Sequence, residues 1–331
     1  MARDNPYRPF TPDPDQMARA PDISGNEVNG LGETDMRRPR PVYWATDPDQ
    51  IAHGEMQRWF MQNSPDDPRF TEQRKRRQAA MDRPLPELAR SRLEQGADAW
   101  LAALQAFCVP GLAEKVGVAR LQDDWLYEGQ ATAFLRIVVI GVQHDYAVLS
   151  HAPEIEAGGE VMRQYTRAVE AAMAVAGWLR RQGWEAEPVT GPMTGKLALI
   201  PPALASGFGE LGKHGSVIDR DMGASFRLSA VLTDAPIRET PAVEHGIDAF
   251  CLSCRICEDA CPPEALSPTK RRVRGVEKWY VDFDRCIPFF NQHQGCAICI
   301  AVCPWSRPGV GQNLARKLAR RAQRQARADQ T

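Results

Sequence analysis

Residues 251–262 read CLSCRICEDACP, and residues 296–304 read CAICIAVCP. The first stretch has the C-x2-C-x2-C-x3-C-P spacing of bacterial ferredoxins that hold two 4Fe-4S clusters, and the second repeats the last part of that spacing. Three thiolates two residues apart can converge on one cubane. The fourth, displaced by the longer gap and the proline, points to a neighbouring cubane. The spacing therefore predicts two clusters that exchange one ligand each.

Eight of the nine cysteines of the chain take part in this pattern. We assign one cluster to a first set of Cys251, Cys254, Cys257 and Cys303, and the other to a second set of Cys261, Cys286, Cys296 and Cys299. Paired C-x2-C motifs also occur in zinc ribbons and in disulfide-bonded secreted domains, but neither requires a third cysteine and a proline at these offsets. Cys108 stands alone in an apolar stretch and is interpreted as a small buried hydrophobic residue.

Length and charge limit the possible classes of protein. With 331 residues the chain is longer than a ferredoxin and predicts two domains of unequal size. Its formal net charge is -1, so no overall field attracts nucleic acid or an anionic membrane. No apolar run approaches the roughly 18 residues of a membrane span, and the opening MARDNPYRPFTPDPDQ resembles no export signal. We expect a cytoplasmic protein with no membrane span and no nucleic-acid partner.

The region before the cysteines changes character along its length. Residues 1–50 are rich in Pro, Asp and Arg without a period, which predicts an extended arm or a disordered segment. Helical periodicity follows over 51–107. A β-branched run at 137–142 is typical of a central strand, and residues 161–184 predict an amphipathic helix that ends at Gly183.

The segment 206–215, SGFGELGKHG, holds four glycines in ten residues. Glycine permits positive φ and close approach, so the segment is either a loop built around a ligand or a tight connection without one. His214 follows Lys213 where a phosphate-binding loop needs Ser or Thr, and the dinucleotide pattern is met only outside its strand-first context. The following RLSAVLTDAP predicts a strand that ends by Pro236.

From about Ile137 to Trp305, the order of these motifs resembles the cobalamin-dependent reductive dehalogenases and the related epoxyqueuosine reductases. The resemblance is carried by the strand before HDYAV, LRRQGWEAEP, PPALASGFGELGKHG, GASFRLSAVLTD and the two cysteine motifs. It implies an α/β (α+β) fold, with a nitroreductase-like cobalamin-binding domain followed by a two-cluster bacterial ferredoxin-like domain. We expect an N-terminal arm at 1–50, the cobalamin-binding domain at 51–240, the ferredoxin-like domain at 241–310 and a basic tail at 311–331.

The resemblance also implies the cofactor and its site. It assigns the glycine loop to cobalamin, with the binding residues Gly207, Gly209, Glu210, Gly212, Lys213, His214 and Gly215. The chain contains no Asp-x-His-x-x-Gly motif, which fits base-off cobalamin without a protein histidine on cobalt. His144, His151 and His214 are therefore not expected to be cobalt ligands.

Two catalytic residues follow from the same resemblance. Tyr165 stands where the dehalogenases have a proton-donating tyrosine, and Arg227 where they have a Lys or Arg. A guanidinium does not lose its proton, but it stabilises a neighbouring phenolate. The plainer interpretations are that Tyr165 packs in the core and that Arg227 pairs with a surface carboxylate. Epoxyqueuosine reductases carry Arg-Asp-Tyr-His where this chain has Arg163-Gln164-Tyr165-Thr166, and glutamine cannot donate a proton as a carboxylic acid does.

These expectations converge on an oxidoreductase, a reductive dehalogenase of an aromatic organohalide that receives electrons from a separate ferredoxin, flavodoxin or reductase. Two alternatives stay open: an epoxyqueuosine reductase-like enzyme that modifies tRNA, and a corrinoid and iron–sulfur electron-transfer protein that removes no halide. The basic segment RKLARRAQRQARADQ after the clusters is either a solvated helix or a docking surface for an acidic electron donor.

Overall fold

The computed structural model describes residues 5–191 and 195–328. The helices in these ranges are α1 (Pro14–Met17), α2 (Gly25–Val28), α3 (Gly54–Gln62), α4 (Pro68–Met81), α5 (Ala97–Cys108), α6 (Tyr146–Leu149), α7 (Ile155–Arg181), α8 (Ile200–Ala205), α9 (Ile247–Ser253), α10 (Ile256–Ala260), α11 (Phe283–Gln292), α12 (Ile298–Ala301) and α13 (Val310–Ala328). The strands are β1 (Lys115–Arg120), β2 (Arg136–Gln143), β3 (Ala186–Val189), β4 (Glu210–Leu211), β5 (Val217–Ile218), β6 (Phe226–Thr233), β7 (Arg271–Val273) and β8 (Val276–Lys278).

Four strands form the central sheet in the order β1-β2-β6-β3, and each neighbouring pair is antiparallel. The apolar run of β2 is buried on both faces, so this strand lies inside the sheet, as its β-branched sequence predicts. The predicted strand before Pro236 is confirmed as β6, which ends at Thr233. With helices packed on an antiparallel sheet, the α+β form of the fold class is confirmed.

Helix α7 packs along one face of this sheet. Its apolar stripe, which includes Ala172, Val175 and Leu179, is fully buried in the main core. The helix gives way after Arg181 to Gly183, whose φ of +82° is a left-handed conformation that glycine adopts readily. The predicted amphipathic helix is therefore confirmed. Cys108 is completely buried in the same core, and burial raises the pKa of its thiol to about 12, so it behaves as the predicted small hydrophobic residue.

The glycine-rich segment first connects α8 to β4 and then enters a β-hairpin made by β4 and β5. Across its turn, the Gly212 N–H donates to the Ser216 carbonyl at 2.9 Å. Gly209 has a φ of +115°, and a Cβ at this position would lie 2.0 Å from the Ile218 oxygen. The segment therefore requires glycine for close backbone packing.

The N-terminal arm is packed against the cysteine-bearing helices. The Tyr43 hydroxyl donates to Asn291 Oδ1 at 3.0 Å inside α11, and the Gln16 side chain donates to the Pro288 carbonyl at 3.2 Å. These buried hydrogen bonds join residues more than 240 positions apart. Residues 5–45 thus belong to the same packed structure as the cysteine region.

The basic helix α13 follows the last cysteine. Gly311 and Ala315 on its first turns are buried, while most of its arginines are exposed, so it is a largely solvated helix. Within the described ranges, no helix is both long and apolar enough to cross a membrane.

Candidate functional site

The first set of cysteines surrounds one small cavity. Cys251 lies on α9, Cys257 on α10, and Cys303 comes after α12. The cavity is lined by Lys213, His214, Phe250, Cys251, Cys254, Cys257, Cys303, Pro304 and Trp305. The structure thus brings Cys303 to three cysteines that precede it by more than 45 residues, an arrangement that the predicted ligand exchange requires.

The turn of the β4–β5 hairpin supplies the opposite wall of this cavity. The Lys213 side chain is 2% exposed, and its ammonium donates to the Cys254 carbonyl at 2.9 Å and to Glu258 at 3.1 Å. Burial raises the pKa of the Cys251 thiol to about 11, and the nearby Lys213 backbone opposes this effect. His214 is buried, and desolvation lowers its pKa to about 4, so its imidazole is neutral at pH 7.

The second set gathers where α11 and α12 meet the chain after α10. Cys261, Cys286 and Cys299 pack in one apolar cluster. Cys296 is close enough that its charge raises the pKa of both Cys286 and Cys299, after the larger effect of burial. Cys257 of the first set packs in the same apolar cluster, so the two sets lie side by side, and each is assembled from distant parts of the sequence.

Burial makes these thiols costly to ionise without a cation. Desolvation, and after it the charges of the neighbouring Cys303 and Cys251, raise the pKa of Cys257 to about 12. Iron at the centre of such a group would offset the crowding of thiolates, because coordination stabilises the thiolate and releases the thiol proton to solvent. The donor set of each group fits a 4Fe-4S cluster, which takes four cysteines.

A cavity lies between the central sheet and the cysteine region, and we call it the sheet cavity. Its volume is about 600 Å³. Residues of β6, including Phe226 and Arg227, form one wall, and Cys286 of the second set lies in the opposite wall. The N-terminal arm closes another side with Arg40, Tyr43 and Trp44, among others.

A second cavity of about 530 Å³ adjoins it, bounded by α4 and α7, and we call it the helix cavity. Its lining residues are Trp44, Phe60, Met61, Ser64, Phe70, Arg74, Arg77, Val161, Met162, Tyr165, Arg227, Phe290, Gln294 and Gly295. Four of these, Trp44, Tyr165, Arg227 and Phe290, also line the sheet cavity. These four side chains therefore mark the border between the two cavities.

Tyr165 and Arg227, the two predicted catalytic residues, face each other at this border. The Arg227 guanidinium carbon lies 4.9 Å from the centroid of the Tyr165 ring, within the range of a cation–π contact. The Nε atom of Arg227 is buried and has no hydrogen-bond partner among the described residues. Arg227 therefore does not pair with a surface carboxylate, and Tyr165 faces two cavities instead of lying wholly inside the core.

The residues of the predicted cobalamin loop do not line the sheet cavity themselves. Lys213 and His214 line the cluster cavity, and the Glu210 carboxylate accepts hydrogen bonds at the start of α9. The hairpin reaches the sheet cavity through Ser216 and Val217, directly after Gly215. The other predicted positions, Gly207, Gly209 and Gly212, line neither of the two large cavities.

Gln164 and two of the histidines considered in the sequence analysis line neither the sheet cavity nor the helix cavity. Gln164 is buried, donates to Glu160 at 2.7 Å and accepts from Arg167 at 2.8 Å. His144, buried at the end of β2, and the exposed His151 line neither cavity. No acidic side chain of the described residues replaces Gln164 at the border between the cavities.

Fold and site define an iron–sulfur protein in which a two-cluster domain adjoins a cavity of an α+β domain. Residues 250–306 match the family model of the 4Fe-4S dicluster domain. This match confirms the iron–sulfur interpretation of the cysteine motifs over a zinc ribbon or disulfides.

Comparison with curated proteins names the relatives. The chain is 31% identical to a tetrachloroethene reductive dehalogenase of Dehalobacter restrictus over 211 residues, which is 60% of this chain and 37% of the relative. It is 31% identical to an epoxyqueuosine reductase of Escherichia coli over 124 residues, which is 32% of this chain and 29% of the relative. The matched part thus spans little more than a third of these relatives at most. The predicted relationship is confirmed: the chain is a homologue of the reductive dehalogenases and is related to the epoxyqueuosine reductases.

Solved structures agree on the fold. A catabolic reductive dehalogenase in complex with 3-bromo-4-hydroxybenzoic acid superposes with a TM-score of 0.73 at 22% identity, covering 87% of this chain and 45% of that one. At this identity the match establishes the fold. It extends over more of the chain than the sequence match does, and so includes parts that sequence comparison leaves unmatched.

Sequence reasoning missed the residues that the first half of the chain contributes. Arg40, Tyr43 and Trp44 of the arm line the sheet cavity, and Arg74 and Arg77 of α4 line the helix cavity. The basic run RKRRQ in α4 was the one available signal. A run of this kind is usually a solvated helix face, so it does not indicate which arginine points inward.

Proposed function

We propose that this protein is a cobalamin- and iron–sulfur-dependent reductive dehalogenase that replaces the halogen of an aromatic organohalide with hydrogen. The observation that carries the proposal is the position of Tyr165 and Arg227 at the border of two adjoining cavities. One cavity is lined in part by Cys286 of the second set, and half of the residues that line the other are aromatic residues or methionines. A cofactor in the first and an organic substrate in the second would meet at these two side chains.

The sheet cavity fits a corrinoid by its lining. Arg40, Arg227 and Arg274 contribute three guanidiniums, and no Asp or Glu occurs among its described lining residues. This charge pattern suits the phosphate of the cobalamin nucleotide tail, and the hairpin would meet the cofactor at Ser216 and Val217. Cobalamin bound there would supply the reducing cobalt centre at which the carbon–halogen bond is cleaved. Since no histidine lines the cavity within the described ranges, we expect the base-off form.

The chain's own side chains account for the proton. Replacing halogen by hydrogen consumes two electrons and one proton, and releases a halide ion. We assign the proton to the Tyr165 hydroxyl. The phenolate left behind would be stabilised by Arg227, whose guanidinium carbon lies 4.9 Å from the centre of the tyrosine ring. The proton then returns to Tyr165 from solvent, so each turnover restores the tyrosine.

Electrons would enter at the first set of cysteines and leave from the second. Cys286 of the second set lines the sheet cavity, which places that cluster on the cofactor side. On the other side, the partly exposed Cys254 is flanked by Leu252 and Ile256, whose exposed fractions are 59% and 44%. A separate ferredoxin, flavodoxin or reductase that covers these apolar side chains is the proposed donor.

The alternative of tRNA modification is less favoured. Its acid would have to stand at Gln164, whose amide is held by Glu160 and Arg167 away from both cavities. An electron-transfer protein that removes no halide does not require a phenol and a guanidinium at the border of an apolar cavity. Measurement of halide release distinguishes it from a dehalogenase.

The test is halide release by the reconstituted protein. The chain is loaded with iron, sulfide and cobalamin, reduced with a viologen, and supplied in turn with ortho-halogenated phenols and 3-bromo-4-hydroxybenzoate. We expect bromide release by the wild type, and about 10²-fold slower release by Tyr165→Phe with unchanged iron and corrinoid content. Arg227→Lys should lose less activity than Arg227→Ala, because it keeps the charge without the planar fork.

Tyr7→Phe serves as the matched control, since the Tyr7 hydroxyl donates to Glu154 at 2.8 Å on the surface, away from both cavities. Wild-type turnover by Tyr165→Phe would remove the tyrosine from the mechanism. A fully loaded wild type that releases halide from none of these compounds would favour the non-dehalogenating protein.

A further inference from the structure

The helix cavity has an imbalance of charge. Arg74, Arg77 and Arg227 are among its described lining residues, and no Asp or Glu is. Its other walls are largely apolar, with aromatic rings from Phe60 and Phe70, among others. Guanidiniums between apolar walls, without an opposite charge, make an environment that favours an anion.

Arg77 is the least satisfied of these cations. Its Nε and Nη1 atoms are buried, and no described residue accepts a hydrogen bond from either. Burial lowers the pKa of the guanidinium, opposed by the nearby Tyr165 and reinforced by Arg74. Leaving buried donors unpaired destabilises a fold, and more so for a charged group, so such an arrangement indicates a function.

The neighbouring arginine of the same helix shows that pairing was possible. Arg76 points to the other side of α4, where its Nε and Nη2 donate to the Glu170 carboxylate at 2.7 and 2.8 Å. Arg74 donates only to backbone, to the Phe70 and Pro65 carbonyls at 3.3 and 3.0 Å. The chain thus neutralises the outward arginine and leaves the inward ones without a carboxylate.

We propose that the organohalide carries a carboxylate and that Arg77, with Arg74 one turn before it, binds this group. The free Nε and Nη1 donors of Arg77 can give charge-assisted hydrogen bonds to a carboxylate. The ring of the substrate then lies among the aromatic walls, with its carbon–halogen bond directed to Tyr165 and Arg227, which line the same cavity. The proposal rests on the proposed function for its choice of organohalide, but the anion site itself does not.

The experiment compares a carboxylate with its neutral ester. For the wild type, kcat/KM for 3-bromo-4-hydroxybenzoate should exceed that for its methyl ester by about 10- to 100-fold, the range of a charge-assisted hydrogen-bonded pair. Arg77→Met keeps an apolar stem in the wall. It should raise KM for the carboxylate by a similar factor with little change in kcat, and leave the ester unaffected. Arg77→Lys should retain part of the preference, and Arg76→Met, the matched control, all of it.

Calorimetric binding of the same two compounds to the iron-, sulfide- and cobalamin-loaded protein separates this inference from the proposed function. Arg77-dependent binding of the carboxylate without bromide release would keep the anion site and overturn the dehalogenase. Bromide release from acid and ester with equal kcat/KM would keep the dehalogenase and overturn the anion site. Equal losses in Arg76→Met and Arg77→Met would also overturn it, because the effect would then belong to the helix as a whole.

Discussion

The two sets of cysteines have the same ligand spacing but are supported by different parts of the chain. The first is enclosed by the β4–β5 hairpin, which places the Lys213 ammonium in its cavity wall. The second is held by the N-terminal arm, where Asn26 contacts the start of α11, and it borders the sheet cavity. Cluster type alone therefore does not set the two reduction potentials, because local charge, hydrogen bonds to sulfur and exposure differ.

The hairpin and the arm each hydrogen-bond to the start of a helix that carries a cysteine. The Glu210 carboxylate of the hairpin accepts from the N–H groups of His245, Ile247 and Asp248, at the start of the helix that carries Cys251. In the arm, Asn26 bonds to four groups at the start of the helix that carries Cys286. Helices α9 and α11 thus each have a side chain from outside the cysteine region hydrogen-bonded at their start.

The largest expected effect separates the two sets outright. Cys303→Ser should abolish the cluster of the first set and Cys286→Ser that of the second, each reducing iron from about eight to about four atoms per chain. In each variant, EPR of the reduced protein should show the signal of the remaining cluster only. Loss of both signals from both variants would contradict two separate ligand groups, and loss of the second-set signal from Cys303→Ser would contradict the ligand exchange.

A smaller effect is expected on the reduction potential of the first cluster. Removing a buried positive charge makes an added electron less stable, so Lys213→Met should lower the potential of the first cluster. The shift should be on the order of 100 mV, for a unit charge a few Å away at an effective dielectric constant near 20. The second cluster should shift much less. EPR-monitored redox titration measures both.

Lys115→Met is the matched control for this shift. Lys115 also donates to a backbone carbonyl and a carboxylate, those of Gly207 and Asp219, but it does not line the cluster cavity. Equal shifts in the Lys115 and Lys213 variants would mean that the hairpin acts through its fold and not through the Lys213 charge.

Much of this arrangement could be predicted from local sequence. Cysteine spacing predicts the two sets because ligand geometry is imposed over a few residues, and periodicity predicts the helix of Tyr165 and the strand of Arg227. The difference between Arg76 and Arg77 could not be predicted. It depends on the rotation of α4 against α7, which is set by tertiary packing, and both residues occur in one basic run.

The glycine hairpin illustrates the same limit. Its composition indicates close approach of the backbone. The structure shows such an approach at Gly209, where an added Cβ would lie 2.0 Å from the Ile218 oxygen. Composition does not identify what lies on the other side of the turn. The packing of β4 and β5 directs Lys213 to the cluster cavity and Val217 to the sheet cavity, so one loop adjoins both sites.

The arm gives the next prediction. Asn26→Ala removes hydrogen bonds with Asp282, Asp284, Tyr280 and the Phe283 N–H, which should lower the free energy of unfolding by about 2 kcal/mol. Iron of the second cluster should also be lost faster to a chelator, because the start of the helix with Cys286 is loosened. Faster loss from the first cluster instead would show that the arm does not support the second set selectively.

The smallest change in stability is expected from substitutions of Glu210, which supports the first set as Asn26 of the arm supports the second. Its carboxylate accepts three N–H groups at 2.6, 3.1 and 3.2 Å, where the partial positive charge at the start of α9 favours an anion. Glu210→Gln keeps the shape and one acceptor oxygen, and should cost about 0.5–1 kcal/mol, while Glu210→Ala should cost about 1–2 kcal/mol. Chelation of iron should now be faster at the first cluster and unchanged at the second. If both variants released iron equally from the two clusters, the hairpin would stabilise the molecule in general, and the division of support between hairpin and arm would be wrong.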